Sequence, residues 1–260
     1  MGQANPLSKV PQITALFWVV KILTTGMGET TSDFLVHQMD PPVAVAFGFA
    51  IFAVVMTVQF LLARFNTWLY WAALLSVSVF GTMAADVLHV GLGIAYWIST
   101  LFFSASLALI FAVWWRVEET LSIHSITTRR REVFYWATVL ATFALGTAAG
   151  DLTATSLGMG YFSSGLMFSG IILVPLLGWW RLRLPEIPAF WFAYIVTRPL
   201  GASFADWMGV SHARSGLDWG TGPVSLALAG LILIFVGYLA YQGSDRGARI
   251  VEDASVSGGG

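Results

Sequence analysis

The stretch WAALLSVSVFGTMAAD, running from Trp71 to Asp86, decides how this chain folds. It begins with a tryptophan, places Gly81 ten residues later and ends in an aspartate five residues beyond that. The same ungapped spacing returns as Trp18, Gly28 and Asp33, as Trp136, Gly146 and Asp151, and as Trp191, Gly201 and Asp206. Chance yields on the order of 0.03 such matches in a chain of this composition, so four establish an internal repeat. Each copy lies in an apolar stretch of about 20 residues, the length at which a helix crosses the hydrocarbon core of a bilayer.

A second apolar stretch follows each motif, so the reading outward gives eight spans. They cover about 13–36, 43–63, 68–89, 95–115, 133–156, 161–180, 189–209 and 221–242. The repeats occupy about 13–66, 67–120, 131–184 and 187–242 of a single transmembrane domain in residues 1–242. The polar tail 243–260, ending in Ser257-Gly-Gly-Gly, is expected to be disordered. Composition agrees: 57% of the residues are hydrophobic and 10% charged, and the mean hydropathy is +0.76. A soluble domain carries about 25% charged residues. The absence of cysteine excludes disulfides, thiolate metal sites and cysteine nucleophiles.

Charge placement sets the expected orientation. Lys9, Arg64, Arg116, Arg129, Arg130, Arg131, Arg181, Arg183, Arg246 and Arg249 fall in segments on the side of the N-terminus, and Arg214 alone falls in a loop opposite. Positive loops stay in the cytoplasm, so both termini are expected there, in a bacterial inner membrane. Each repeat makes two crossings, so every repeat starts on the same side. The expected fold is therefore an all-α polytopic membrane protein. Its four parallel two-helix repeats surround the membrane normal with pseudo-fourfold or nested twofold symmetry. The motif helices, which hold the intramembrane charges, should form the inner layer.

Four tandem two-helix repeats, each with a tryptophan in the pattern described, resemble a bacterial family of membrane proteins. That family is known only as a repeat of unknown function and is often labelled "membrane-anchored protein". The resemblance covers about residues 13–242 and implies the architecture. It brings no activity and no site residues, so function is read from the chain itself.

A carboxylate in a bilayer costs roughly 2.5–3.5 kcal/mol on insertion scales, and such groups face a bundle interior or a watery cavity. Asp33, Asp86, Asp151 and Asp206 in register suggest an ion or proton site, against a reading in which they only lock helices together. Steps of four residues stay on one helix face. From the aspartates they reach Glu29, Thr25 and Lys21 in the first repeat, Thr82 and Ser78 in the second, Thr147 in the third and Arg198 in the fourth. Lys21 reads equally as a snorkelling interfacial lysine. Arg198 reads as the partner of an aspartate or of Glu29 from another repeat. Pro199 is expected to kink its helix. The motif glycines indicate close helix packing, and the motif tryptophans read as interfacial anchors.

These residues suggest a transporter or channel for a small cation, a proton or a bound hard metal ion such as Mn or Mg. Its ion- or substrate-binding residues would be Asp33, Asp86, Asp151, Asp206, Glu29, Arg198, Lys21, Thr82 and Thr147. Any metal would sit on the four aspartates, with His37 and His89 as weaker candidates. One alternative is an intramembrane metal-dependent enzyme using Asp33, His37, Asp86 and His89 at the outer face. Another is a non-catalytic scaffold or sensor. The partners expected are the lipid bilayer and the cation. Homo-oligomer formation stays open, and nothing in the sequence indicates nucleic acid.

Overall fold

The computed structural model describes residues 8–182 and 184–257, with side chains other than those of Val90, Leu176, Trp180, Leu182 and 244–257. Eight long helices follow one another: α1 (Ala15–Gln38), α2 (Pro41–Leu61), α3 (Thr67–Asp86), α4 (Tyr96–Glu118), α5 (Arg129–Asp151), α6 (Tyr161–Leu182), α7 (Glu186–Gly209) and α8 (Thr221–Ser257). No strand occurs among the described residues. Six of these helices, all except α1 and α7, are long and apolar enough to cross a membrane. α1 and α7 carry Lys21, Glu29 and Asp33, and Arg198 and Asp206, and polar residues of this kind lower their hydropathy.

Side-chain caps start three of the motif helices. Thr14 Oγ1 accepts from the Phe17 N–H, Asn66 Oδ1 from the Leu69 N–H and Thr128 Oγ1 from the Arg131 N–H, each satisfying an orphan first-turn donor. The motif helices then close into a ring, α1 against α3, α3 against α5, α5 against α7 and α7 against α1. The second helix of each repeat packs mainly on the motif helix of the next one: α2 on α3, α4 on α5, α6 on α7 and α8 back on α1. Neighbouring repeats are thereby interleaved around the whole circle.

The motif glycines explain how the ring closes so tightly. A Cβ on Gly28 would stand 1.7 Å from Ser78 Oγ, on Gly81 2.9 Å from Phe143 Cβ, on Gly146 2.2 Å from Arg198 Cγ and on Gly201 1.8 Å from Thr25 Oγ1. Thr25, Ser78, Phe143 and Arg198 all lie eight residues before their own aspartates. Every motif glycine therefore receives the equivalent residue of the next repeat, as a fourfold arrangement requires and as the expectation of close packing held.

Burial separates the two layers. In α3 and α5 the apolar windows are 56% and 61% buried, against 22–29% in α2, α4, α6 and α8. The outer helices turn large side chains outward, among them Phe47, Val54, Leu101, Leu109, Val174 and Leu233. An outward face of this kind suits lipid, and the expected inner position of the motif helices is what the packing shows.

α8 runs on as helix to Ser257, past the start of the polar tail at 243, while one expectation, the aromatic belt, fails. Residues such as Ala248, Arg249, Glu252 and Ala254 favour helix and let it propagate. The motif tryptophans are not a belt: Trp71, Trp136 and Trp191 are buried, and Trp18 is half-buried. Their neighbours are other aromatic rings inside the bundle, which turn them away from its outer surface.

The N-terminal segment and the α4–α5 loop cover this aromatic end. The Lys9 N–H donates to the Ile126 carbonyl, and Lys9 Nζ meets Glu132 Oε2 at 2.6 Å. Gln59 Nε2 donates to the other oxygen of Glu132 at 2.9 Å. Glu118 takes both Arg130 and Arg131, and Trp191 Nε1 donates to the Leu121 carbonyl at 2.9 Å. Arg183 lies outside the described residues.

Candidate functional site

Along the ring the inward residues form layers four residues apart, about 6 Å of helix rise each. The deepest layer toward the N-terminal side consists of Phe17, Tyr70, Tyr135 and Phe190, all buried. Each immediately precedes a motif tryptophan, so every repeat contributes an aromatic pair. Phe17 lies 5.7 Å from Trp71, Tyr70 5.6 Å from Trp136 and Trp18 5.5 Å from Phe190, ring centre to ring centre. The hydroxyls of Tyr70 and Tyr135 share a hydrogen bond of 2.5 Å. These rings fill that end of the axis as an aromatic plug.

The next layer holds Lys21, Leu74, Val139 and Tyr194, all fully buried. Lys21 does not snorkel. Its Nζ has no hydrogen-bond partner and stands 4.2 Å from the Phe143 ring centre and 4.3 Å from that of Tyr194. Cation–π attraction compensates part of the desolvation. The lysine starts too far inside the packed ring for its stem to reach water.

Above it stand Thr25, Ser78, Phe143 and Arg198. The guanidinium of Arg198 is fully buried and reaches four partners on three other helices. Nη2 donates to Glu29 Oε2 at 2.6 Å, to Thr147 Oγ1 at 2.8 Å and to Thr82 Oγ1, and Nη1 donates to the Thr25 carbonyl at 3.0 Å. Thr82 and Thr147 also lie 3.3 and 3.4 Å from Glu29 Oε2. The expected partner of Arg198 is thus Glu29, not its own repeat's Asp206. The pair joins all four motif helices, and its hydrogen bonds offset the cost of burying two charges. α7 passes through Pro199 as continuous helix, with the proline against Gly146 and Gly150.

The last layer is the four aspartates, about 24 Å of helix rise from the aromatic layer. Asp33, Asp86, Asp151, Asp206 and Glu29 lie close enough for their charges to interact. Asp206 is buried, and its Oδ1 has no partner. Asp33, Asp86 and Asp151 are partly open. An open cavity of about 390 Å³ lies at this end, with Asp33, His37, Ser211, Arg214 and Thr221 in its wall. Arg214 donates to the Tyr161 hydroxyl. Burial works to lower the Arg214 pKa, but Tyr161, Asp206 and Asp33 outweigh it and hold it above the ordinary arginine value.

The histidines divide differently from the sequence-based grouping. His37 is exposed and its Nδ1 lies 2.6 Å from the Asp33 carbonyl on its own helix. His89 is buried, and its nearest carboxylate is Asp151, with Nδ1 4.0 Å from Oδ2. Asp86, His89 and Asp151 each place a ligand atom within 4.8 Å of the other two. Immediately after Asp86 and Asp151 the helices widen into π-helical turns, Val87–Gly91 and Leu152–Ser156.

Sequence reasoning missed the aromatic plug, although steps of four from Asp206 do pass through Tyr194. One further step of four along each stripe would have reached Phe17, Tyr70, Tyr135 and Phe190. The aromatic–tryptophan pair in every repeat was the available signal.

An interleaved ring of two-helix repeats, with six helices among the described residues long and apolar enough to cross a membrane, defines an all-α membrane protein with internal repeats. The chain belongs to the family described as Repeat of Unknown Function (DUF347), which matches it four times, over residues 16–65, 69–120, 134–184 and 189–244. Comparison with curated proteins and with solved structures gave no match.

Proposed function

We propose that this protein is a carrier for a small cation, a proton or a divalent metal ion. It would sit in a bacterial inner membrane with eight crossings and both termini in the cytoplasm. The observation that carries the reading is the axis itself: the four aspartates share one end of a closed ring, close enough for their charges to interact, and one of them, Asp33, lines an open cavity at that end. Carboxylates gathered in this way attract cations and leave their mutual repulsion to be relieved by one. A carrier suits the geometry better than an open channel. Below the aspartates the axis is blocked by Arg198 with Glu29, then by Lys21, then by the aromatic plug. This arrangement corresponds to a site open on the aspartate side and closed on the other. Alternating access would require the Arg198–Glu29 layer and the plug to rearrange.

The basic segments near Lys9, Arg64, Arg116 and Arg129–Arg131 lie at the aromatic end, which the positive-inside bias assigns to the cytoplasm. Because the native chain has no cysteine, single-cysteine labelling tests this directly. Probes at Phe65 and Leu184 should react only from the cytoplasmic side, and a probe at Ser215 only from outside. The function is tested by flux of a panel of protons, Mn, Mg, Zn and Ca ions in vesicles reconstituted with purified protein. Saturable, protein-dependent movement of one of these ions supports the carrier. No flux of any ion above empty vesicles would defeat it.

A further inference from the structure

The sequence pointed first to the four aspartates as ligands of a hard cation, with His89 a weaker candidate, and the structure brings the His89 ring to two of them. We infer that Asp86, His89 and Asp151 form a binding site for a first-row divalent transition-metal ion. The inference refines the cation-carrier reading at the same end of the axis.

The first support is distance. With every pair of ligand atoms within 4.8 Å, a point between them lies no more than about 2.8 Å from each. Divalent metals bind nitrogen and oxygen at about 2.0–2.2 Å, so side-chain rotations that move each ligand atom by no more than about 0.8 Å complete the contact.

The second and independent support is the state of His89. Its side chain is only 2% exposed, and its Nδ1 is buried without a hydrogen-bond partner. The other ring nitrogen, Nε2, lies 2.6 Å from Ser99 Oγ. A serine hydroxyl has one proton. Ser99 is placed to give its proton to the Tyr96 carbonyl at 3.0 Å. With that proton so placed, Ser99 accepts from His89, and this network assigns the imidazole proton to Nε2 and the lone pair to Nδ1. That lone pair faces Asp151 Oδ2 at 4.0 Å, too far for a hydrogen bond. An electron pair aimed at two carboxylates with no donor between them suits a cation. The Ser99 contact is the kind of outer partner that orients a metal-binding histidine.

The local backbone fits the same assignment. The π-helical turns follow Asp86 and Asp151, whereas α1 and α7 continue as α-helix past Asp33 and Asp206. Such turns are rare and often lie at functional sites. One imidazole with two carboxylates favours manganese, iron, cobalt or zinc over magnesium and calcium, which prefer oxygen alone.

The test is titration of detergent-purified, full-length protein with manganese(II), read as loss of the free-ion paramagnetic resonance signal. The wild type should bind one ion saturably, and zinc should displace it at far lower concentration than magnesium. His89→Ala should weaken binding at least ten-fold. Ser99→Ala, which leaves all three ligands in place, should weaken it several-fold and serves as the deciding variant should His89→Ala fail to fold. Absence of manganese binding by the wild type at about 1 mM overturns the inference. So does unchanged binding in folded His89→Ala, unchanged binding in Ser99→Ala, or equal competition by magnesium. Binding is read without a gradient. A protein that binds manganese but moves no ion would keep the site and remove the carrier, and proton flux without manganese binding would do the reverse.

Discussion

The two ends of the inner ring are built from the same repeat yet are chemically opposite. At the aromatic end, Phe17, Tyr70, Tyr135 and Phe190 with the motif tryptophans fill the axis completely. At the other end each repeat supplies an aspartate, and Asp33 lines an open cavity. The fourfold pattern is strict at both ends, since each repeat supplies one aromatic pair and one carboxylate. Between them it breaks: Lys21, Glu29 and Arg198 have no charged equivalent in the other repeats. The repeat therefore builds the scaffold and the ends, while divergence between the copies builds the charged middle.

The largest effect expected comes from that middle. Arg198→Ala strands Glu29 in the ring and removes hydrogen bonds to three helices. Loss of one partner of a buried ion pair costs about 3–5 kcal/mol. The protein should melt far lower in detergent or fail to fold. Lys21→Met is the contrast, since Lys21 has no ion-pair or hydrogen-bond partner among the described residues and its neighbours are rings. Methionine fills similar space without a charge, so stability should stay within about 1.5 kcal/mol of wild type or rise. Equal loss in the two variants would break the distinction between a structural pair and a tolerated charge.

Ring closure gives the next effect. Gly146→Ala puts a Cβ within 2.6 Å of Arg198 Cβ and 2.2 Å of its Cγ, so the strand of contacts from α5 to α7 must shift. Overpacking of this kind costs about 1–3 kcal/mol. Gly170→Ala and Gly230→Ala, on the outer helices, meet nothing within 4 Å. Thermal unfolding should show the first variant destabilised and the other two unchanged or slightly improved by helix propensity. At the aromatic end, Tyr70→Phe removes the 2.5 Å hydroxyl contact with Tyr135 and should cost about 1 kcal/mol.

Spacing in the sequence made the repeat, the parallel orientation and the inner position of the motif helices readable. A tryptophan, a glycine and an aspartate at fixed intervals require equivalent environments. The ring interior was readable too, because steps of four from Asp33 and Asp206 pass through Glu29 and Arg198, which pair between α1 and α7. Other features depend on contacts far apart in the chain. Nothing local says that α2 leans on α3 more than on α1, since both connections are short. The burial of Lys21 and of the motif tryptophans follows from rings supplied by other repeats, such as Phe143 and Tyr194. The company of His89 is Asp151, from the next repeat, and no spacing within one helix reveals that.

The central claim is that the aspartate end, not the charged middle, handles the ion. Asp86 and Asp151 test it best, because their repeats carry no intramembrane cation to strand. Asparagine keeps shape and hydrogen-bonding capacity but gives up the charge and the exchangeable proton. The measurement is cation flux in reconstituted vesicles for Asp86→Asn and Asp151→Asn, with thermal stability of each variant in detergent. The account predicts folded proteins with stability near wild type and no flux. Wild-type flux in both variants, or joint loss of folding and flux, would contradict it.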